Sequence, residues 1–160
     1  DIFISFDPNY RGDLWKNKAD KFVKKCLPYI EKAHLCKFSL EEAQLISGKN
    51  NLEKACELIH EMGARIIAVT LGSEGTFIST PEKTATIPSV PVTPVDTTGA
   101  GDAFIGCLLY QISQLDKPTA LAEDFDSLKK MIAMANKAGA ITTTNYGAIE
   151  SLPGLNALNS

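Results

Sequence analysis

Pro94-Val95-Asp96-Thr97-Thr98-Gly99-Ala100-Gly101-Asp102-Ala103-Phe104 sets two acids, threonine hydroxyls and two glycines at the entrance to an apolar helical pattern. Pro94 ends the extended segment before it. Gly99 and Gly101 allow the backbone to bend so that successive N–H groups point into one concavity. Downstream, Ala103, Phe104, Cys107, Leu108, Ile112 and Leu115 recur at helical spacing. Those N–H groups therefore sit at a helix N-terminus, an end that carries about half a positive charge and binds anions. Two phosphate-binding patterns are excluded. A dinucleotide G-x-G-x-x-G needs glycine where Phe104 stands, and a P-loop needs Gly-Lys-Ser/Thr after its first glycine. What remains is an anion cradle that contains a carboxylate. Asp102 reads either as a favourable acid in a first helical turn or as a base for a hydroxyl that attacks a bound phosphate.

From Asp96 to Phe104 the chain resembles the signature of the ribokinase-like carbohydrate kinases, which phosphorylate sugars and nucleosides with ATP. The resemblance implies Asp102 as catalytic base and the amides of Gly99, Ala100 and Gly101 as the anion hole. It also implies the fold class: α/β, a three-layer α/β/α sandwich with a mostly parallel sheet and an antiparallel hairpin. Members of the family are roughly twice as long. The expectation is that residues 1–160 form the C-terminal portion of such a kinase domain, without its N-terminal sugar-binding half and β lid. A homodimer through that lid belongs to the same expectation.

A chain of 160 residues with 44% hydrophobic and 22% charged residues suits one domain with an ordinary core. A net charge of -3 and a pI near 5.4 argue against a nucleic-acid partner, which needs a basic face. No apolar run approaches the roughly 18 residues of a membrane span, and no signal peptide opens the chain. Cys26, Cys36, Cys56 and Cys107 show no C-x-x-C spacing and read as reduced thiols of a cytoplasmic protein.

Asp1 to Phe6 reads as a strand already inside a sheet, closed by Asp7-Pro8-Asn9-Tyr10-Arg11-Gly12. Asp-Pro-Asn-x-Arg resembles the fructokinase-like branch of the family, where this loop lies near the phosphates and the sugar. Arg11 would then clamp phosphate bidentately and Asn9 would hydrogen-bond it; the alternative is a solvated Asx-Pro turn. Between Asp13 and Lys32, Ala19, Phe22, Val23, Cys26, Leu27 and Ile30 mark one helix, kinked or restarted at Pro28. Leu35-Cys36-Lys37-Phe38 is the next strand, with Lys37 either facing the nucleotide or lying on a sheet edge.

Ser39-Leu40-Glu41-Glu42 has capping-box spacing. The resemblance adds a role for Glu42 in organising Mg²⁺, usually through water. A helix with Leu52, Ala55, Cys56, Ile59 and Met62 inward ends near Gly63, and Ile66 to Thr70 reads as a central parallel strand. Thr70-Leu71-Gly72-Ser73-Glu74-Gly75 resembles the family's nucleotide-contacting turn, which implicates Thr70, Gly72 and Gly75. Gly75 to Ile78 and Thr84 to Ile87 form a hairpin. A long final helix follows from about Asp126. Asn136 on it is an adenine contact by resemblance, a close helix contact otherwise. Resemblance also points to a monovalent cation, K⁺, near Asp96, Thr98, Thr142, Asn145, Gly147 and Ser151. His34, ahead of the Leu35-Cys36-Lys37-Phe38 strand, reads as an edge residue and not a ligand, and His60 sits on a polar helical position with no partner at metal spacing.

The reading is MgATP-dependent phosphoryl transfer to a primary sugar hydroxyl, with fructose as first choice. Its rivals are a 2-keto-3-deoxygluconate kinase, a nucleoside kinase, and a non-catalytic sugar or nucleotide sensor. An acid inside the anion hole speaks against the sensor.

Overall fold

The computed structural model describes residues 2–16 and 18–159. The predictions that touch Asp1 and Asn17 therefore lie outside the described residues. Two compact units are present. One takes the chain up to Thr70 and adds Phe77–Ala85; the other comprises Leu71–Thr76 and the chain from Thr86 onward.

The strands are β1 (Ser5–Phe6), β2 (Leu35–Ser39), β3 (Ile66–Thr70), β4 (Thr76–Ser79) and β5 (Thr84–Ile87), in the order β1-β2-β3-β4-β5, and all but Thr76, Thr86 and Ile87 of their residues belong to the first unit. β1 pairs with β2 in parallel, and β2 with β3 in parallel from Leu35↔Ile66 to Ser39↔Thr70. The segments Leu71–Gly75 and Thr80–Lys83 are too short for a crossover, so β4 and β5 run antiparallel to their neighbours. At the hairpin the Thr80 N–H donates to the Lys83 carbonyl at 2.8 Å. The sheet is mixed, three parallel strands followed by the predicted hairpin.

β2 and β3 are buried almost end to end, with Leu35, Cys36, Phe38, Ile67, Ala68 and Val69 all at 0% exposure. Each large side chain among them contributes roughly 1.5–3 kcal/mol by leaving water. Helix α1 covers Gly12–Trp15, α2 Ala19–Ile30, α3 Leu40–Ser47 and α4 Leu52–Glu61. The first two correct the sequence reading. One predicted helix is two, because Lys16 takes a left-handed φ of 46° and stops α1. Pro28 stays inside α2, which ends two residues later, so the bond its N–H would have made is lost only in the last turn. Phe22, Cys26 and Ile30 are the buried stripe, while Leu27 is 38% exposed. β1 is shorter than predicted, and Ile2 lies 82% exposed. Lys37 is not an edge lysine: β2 has a strand on each side.

The second unit is built on α5 (Ala100–Ser113) and α6 (Phe125–Thr142), with α7 at Leu155–Asn159. α7 was not anticipated, so α6 is not the final helix. Asp124 caps α6, its carboxylate accepting the Ser127 N–H at 3.0 Å. Ala103, Phe104, Leu108 and Ile112 of α5 and Leu128, Ile132, Ala135 and Ala138 of α6 are buried. The helices come close at Gly139, where an added Cβ would stand 3.1 Å from the Ala100 carbonyl oxygen. All four cysteines are free. Burial pushes Cys26 up to about 11 and Cys36 and Cys56 to about 12. No helix among the described residues is long and apolar enough to cross a membrane.

Candidate active site

In the second unit the predicted cradle is a helix start. Gly99 is the N-cap residue of α5 at φ 81°, and no side chain caps the end. A Cβ at Gly99 would meet the Ala148 Cβ at 2.6 Å. Glycine is therefore required twice, for the left-handed backbone and for the close approach. Gly101 lies inside α5 and is not among the positive-φ glycines; of the two glycines only Gly99 bends the chain. The Ala100 N–H leans on the Thr97 carbonyl at 3.3 Å. The N–H groups of Gly101 and Asp102 have no acceptor inside the helix, which leaves them to an anion. Asp102 is exposed in this first turn and lines a cavity of about 390 Å³ whose other walls are largely apolar.

Asp96 ties the approach to this cradle. Its Oδ1 accepts the Thr98 N–H at 2.9 Å and the Thr98 hydroxyl at 2.7 Å, and its Oδ2 accepts the Gly147 N–H at 3.2 Å. The N–H groups of Val95 and Asp96 both donate to the Thr143 carbonyl. The hydrogen bonds from Thr98, then from Gly147, hold the Asp96 carboxyl below its ordinary range. Of the residues assigned to a cation, Asp96, Thr98 and Gly147 are thus brought together. The other three serve local partners: Thr142 donates to the Ala138 carbonyl, Asn145 to the Thr144 hydroxyl and Ser151 to the Tyr146 carbonyl. The Asp96 carboxylate and the Thr98 hydroxyl offer oxygen, which suits a hard cation and no thiophilic one, while Gly147 presents its N–H to the carboxylate. Among the described residues no cluster of three or more His, Cys, Asp or Glu side chains could hold a metal.

The turn after β3 needs its glycines. Gly72 sits at φ 60° and Gly75 at φ 104°, and a Cβ at Gly75 would collide with the Ile87 carbonyl oxygen. Thr70 closes the first unit's β3 with its hydroxyl on the Phe38 carbonyl at 3.3 Å. Asn136 has another occupation than a ring. Its Oδ1 accepts the Thr76 hydroxyl at 2.6 Å, and its Nδ2 donates to the Ile87 carbonyl at 2.9 Å and the Pro88 carbonyl at 3.3 Å. With both N–H bonds engaged and 6% exposure, it ties α6 to Thr76, Ile87 and Pro88 inside the second unit.

In the first unit, the capping box of α3 is formed in both directions. Ser39 Oγ accepts the Glu42 N–H at 3.2 Å, and Glu42 Oε2 accepts the Ser39 N–H at 2.7 Å. Glu42 Oε1 accepts the Tyr10 N–H at 2.5 Å. At 5% exposure, with a backbone donor on each oxygen, Glu42 fits an ion only at a distance. Lys37 pairs with Asp7 Oδ2 at 3.1 Å. Burial foremost pushes the Asp7 carboxyl up, while Lys37 draws it down. Asp7 was missed as a site residue, although it stands one position beyond the Phe6↔Cys36 pair, as Lys37 does. Asn9 and Arg11 are exposed, and among the described residues the Arg11 guanidinium makes only a 3.5 Å contact with the Tyr10 carbonyl. Its planar fork is open to a phosphate.

The profile of the pfkB family carbohydrate kinases matches residues 2–155. Over 152 residues the chain is 38% identical to fructokinase-2 of Solanum lycopersicum, covering 94% of this chain and 45% of that one. A crystal structure of a fructokinase double mutant from Vibrio cholerae O395, bound to fructose, ADP and potassium ion, matches with a TM-score of 0.88 at 32% identity. That match covers 98% of this chain and 49% of the other. Aminoimidazole riboside kinase from Salmonella enterica, complexed with aminoimidazole riboside and an ATP analogue, matches with a TM-score of 0.83 at 32% identity, over 98% and 51% of the two chains. The fold is the α/β sandwich of these kinases. The chain spans about half the length of the curated relatives it matches.

Proposed function

The chain belongs to the pfkB family of carbohydrate kinases, and from that premise we propose that it is the C-terminal portion of an ATP-dependent kinase whose acceptor is fructose. The observation that carries the reading is Asp102, an exposed carboxylate in the first turn of α5, beside amides that a helix end leaves unpaired. A primary hydroxyl of the sugar attacks the γ-phosphorus of ATP. The new O–P bond forms as the bond to the β-phosphate oxygen breaks and ADP leaves with its electron pair. Asp102 takes the hydroxyl proton. The Gly101 and Asp102 amides hold the phosphoryl oxygens, and Arg11 balances phosphate charge. Much of the acceleration is then positioning and electrostatics.

Mg²⁺ supplies further charge neutralisation on the phosphates when bound. Glu42, already holding two N–H groups, would act toward it only through water. Asp96 and the oxygens around Thr98 and Gly147 are the set that would hold K⁺. Thr70, Gly72 and Gly75 would line the nucleotide; Asn136, with its amide engaged, is not included. The buried free thiols of Cys26, Cys36 and Cys56 support a cytoplasmic setting. A homodimer through a lid elsewhere in a longer chain belongs to the same proposal.

A nucleoside acceptor is the second reading, favoured by a riboside kinase matching at the same 32% identity as a fructokinase. The test is kinetic. The intact gene product, supplied with MgATP, should show its highest kcat/KM with fructose when compared with a purine riboside and 2-keto-3-deoxygluconate. A riboside preference would install the second reading, and no phosphorylation of any acceptor would overturn both.

A further inference from the structure

The loop that carries Asn9 and Arg11 is held by buried charges, and the inference below rests on the kinase reading. β1 and β2 pair at Ser5↔Leu35 and Phe6↔Cys36. The next rung would set Asp7 against Lys37. Pro8 follows, with no N–H to offer, and the chain leaves the ladder. At that rung a side-chain link takes over, Lys37 Nζ to Asp7 Oδ2 at 3.1 Å, the side chains being 11% and 20% exposed.

Two residues further, Asn9 adopts a φ of 49°, a left-handed conformation that asparagine tolerates. The chain turns there, and the Tyr10 N–H meets Glu42 Oε1 at 2.5 Å. The Tyr10 ring packs on Phe22 with centroids 4.6 Å apart. The loop is therefore tied to β2 at Asp7 and to the start of α3 at Tyr10. Beyond these ties Asn9 and Arg11 stand exposed.

We propose that the Lys37–Asp7 ion pair is a positioning couple, which sets the Asp7–Arg11 loop so that Asn9 and Arg11 present to the nucleotide phosphates, and that Lys37 itself does not bind nucleotide. The couple is mutual. Removing either partner leaves an uncompensated charge in a covered place. Asp7 Oδ1 is buried without a partner among the described residues, and the Glu42 charge acts on the same carboxylate. Lys37 is the cation that keeps Asp7 there. A lysine that binds phosphate presents its ammonium as a point charge at the ligand; this one is 9% exposed and engaged.

The experiment titrates the intact protein with a non-hydrolysable ATP analogue and measures kcat for wild type, Lys37→Met, Asp7→Asn, Lys37→Arg and Arg11→Ala, with Lys37→Met also placed in the Arg11→Ala background. The couple predicts that Lys37→Met and Asp7→Asn weaken the analogue alike and lower kcat alike, each by about tenfold, with Lys37→Arg restoring most of the loss. In the Arg11→Ala background Lys37→Met should add less than about twofold, because the pair acts through that loop. A direct phosphate contact gives the opposite pattern: Asp7→Asn frees Lys37 and leaves binding equal or tighter, while Lys37→Met adds its full effect to Arg11→Ala. That pattern overturns the proposal. So does a lowered melting temperature with unchanged binding and kcat, the mark of a merely structural pair. If Lys37→Met does not fold, the near-isosteric Asp7→Asn decides alone. An intact wild-type protein that phosphorylates no acceptor would remove the kinase reading, whereas the analogue titration would still judge the pair.

Discussion

The Gly99–Asp102 cradle and the Asp7–Glu42 cluster are built from different materials. The cradle is made of backbone: one left-handed glycine, a helix end and an exposed acid within four consecutive residues. The cluster is made of side chains from three separate segments, with Lys37 and Glu42 at 9% and 5% exposure. A backbone site tolerates little change at its one special residue and is indifferent to most of its neighbours. A side-chain cluster depends on every partner, because a buried charge without its counterpart is strongly disfavoured. The first should fail in catalysis and the second in stability and positioning.

The largest expected effect breaks the cradle chemically. Asp102→Asn keeps the shape and removes the base, so kcat of the intact enzyme should fall at least about a hundredfold with ATP affinity held or raised. Steady-state kinetics with an ATP titration check it, and a near-normal kcat would return Asp102 to a helix-end acid. Next is Gly99→Ala, which forces a left-handed alanine and drives its Cβ against Ala148 at 2.6 Å. It should lose about 1–3 kcal/mol of stability together with activity. Adding Ala148→Gly should recover part of the stability, since the clash is relieved while the backbone strain remains. Full activity in Gly99→Ala would mean that the bend is dispensable.

The cluster gives smaller numbers. Glu42→Gln sets an amide N–H against the Ser39 or Tyr10 N–H, a loss of about 1–3 kcal/mol in urea unfolding. Ser39→Ala removes only the outward half of the capping box and should lose about 1 kcal/mol, with little change in rate. If the Mg²⁺ concentration needed for activity also rises in Glu42→Gln, the carboxylate serves the ion as well as the box. An unchanged requirement restricts it to structure.

The smallest effect concerns a second side-chain pairing in the first unit. His60 Nδ1 faces the Ala64 carbonyl at 2.8 Å and Nε2 faces the Ser79 hydroxyl at 2.8 Å. A carbonyl only accepts, so Nδ1 carries the proton and neutral Nε2 accepts from Ser79. Burial holds the imidazole below its ordinary value of 6.5, against a raising contribution from the Ala64 carbonyl. The unfolded chain then binds more protons than the folded one between the two values. Stability is complete above 6.5 and declines as pH falls through the depressed folded value. Melting curves of wild type and His60→Gln across that window should converge at acid pH, and parallel curves would detach the stability from this histidine.

Much of the cradle was legible because it is local. The helix start at Gly99, the capping box Ser39-Leu40-Glu41-Glu42, the β3 run Ile66 to Thr70 and the hairpin all depend on neighbours within a few residues, where backbone preference and side-chain period are written directly. Three readings needed correction for the opposite reason. Lys37 looked like an edge residue because nothing near it in sequence says that β1 lies beside β2. Asn136 looked available to a ligand because its partners Thr76, Ile87 and Pro88 are far off along the chain. Asp7 went unnoticed because its role exists only once the ladder register sets it against Lys37, 30 residues on.

By itself, then, the sequence determined the family, the α/β class, the position of the anion-binding helix end and the acid within it, since glycine conformation and helix termini are properties of a few consecutive residues. The tertiary structure alone decided which buried polar groups meet. Strand order and register bring together residues tens of positions apart, and a buried charge or amide takes its partner from that neighbourhood and not from its own segment.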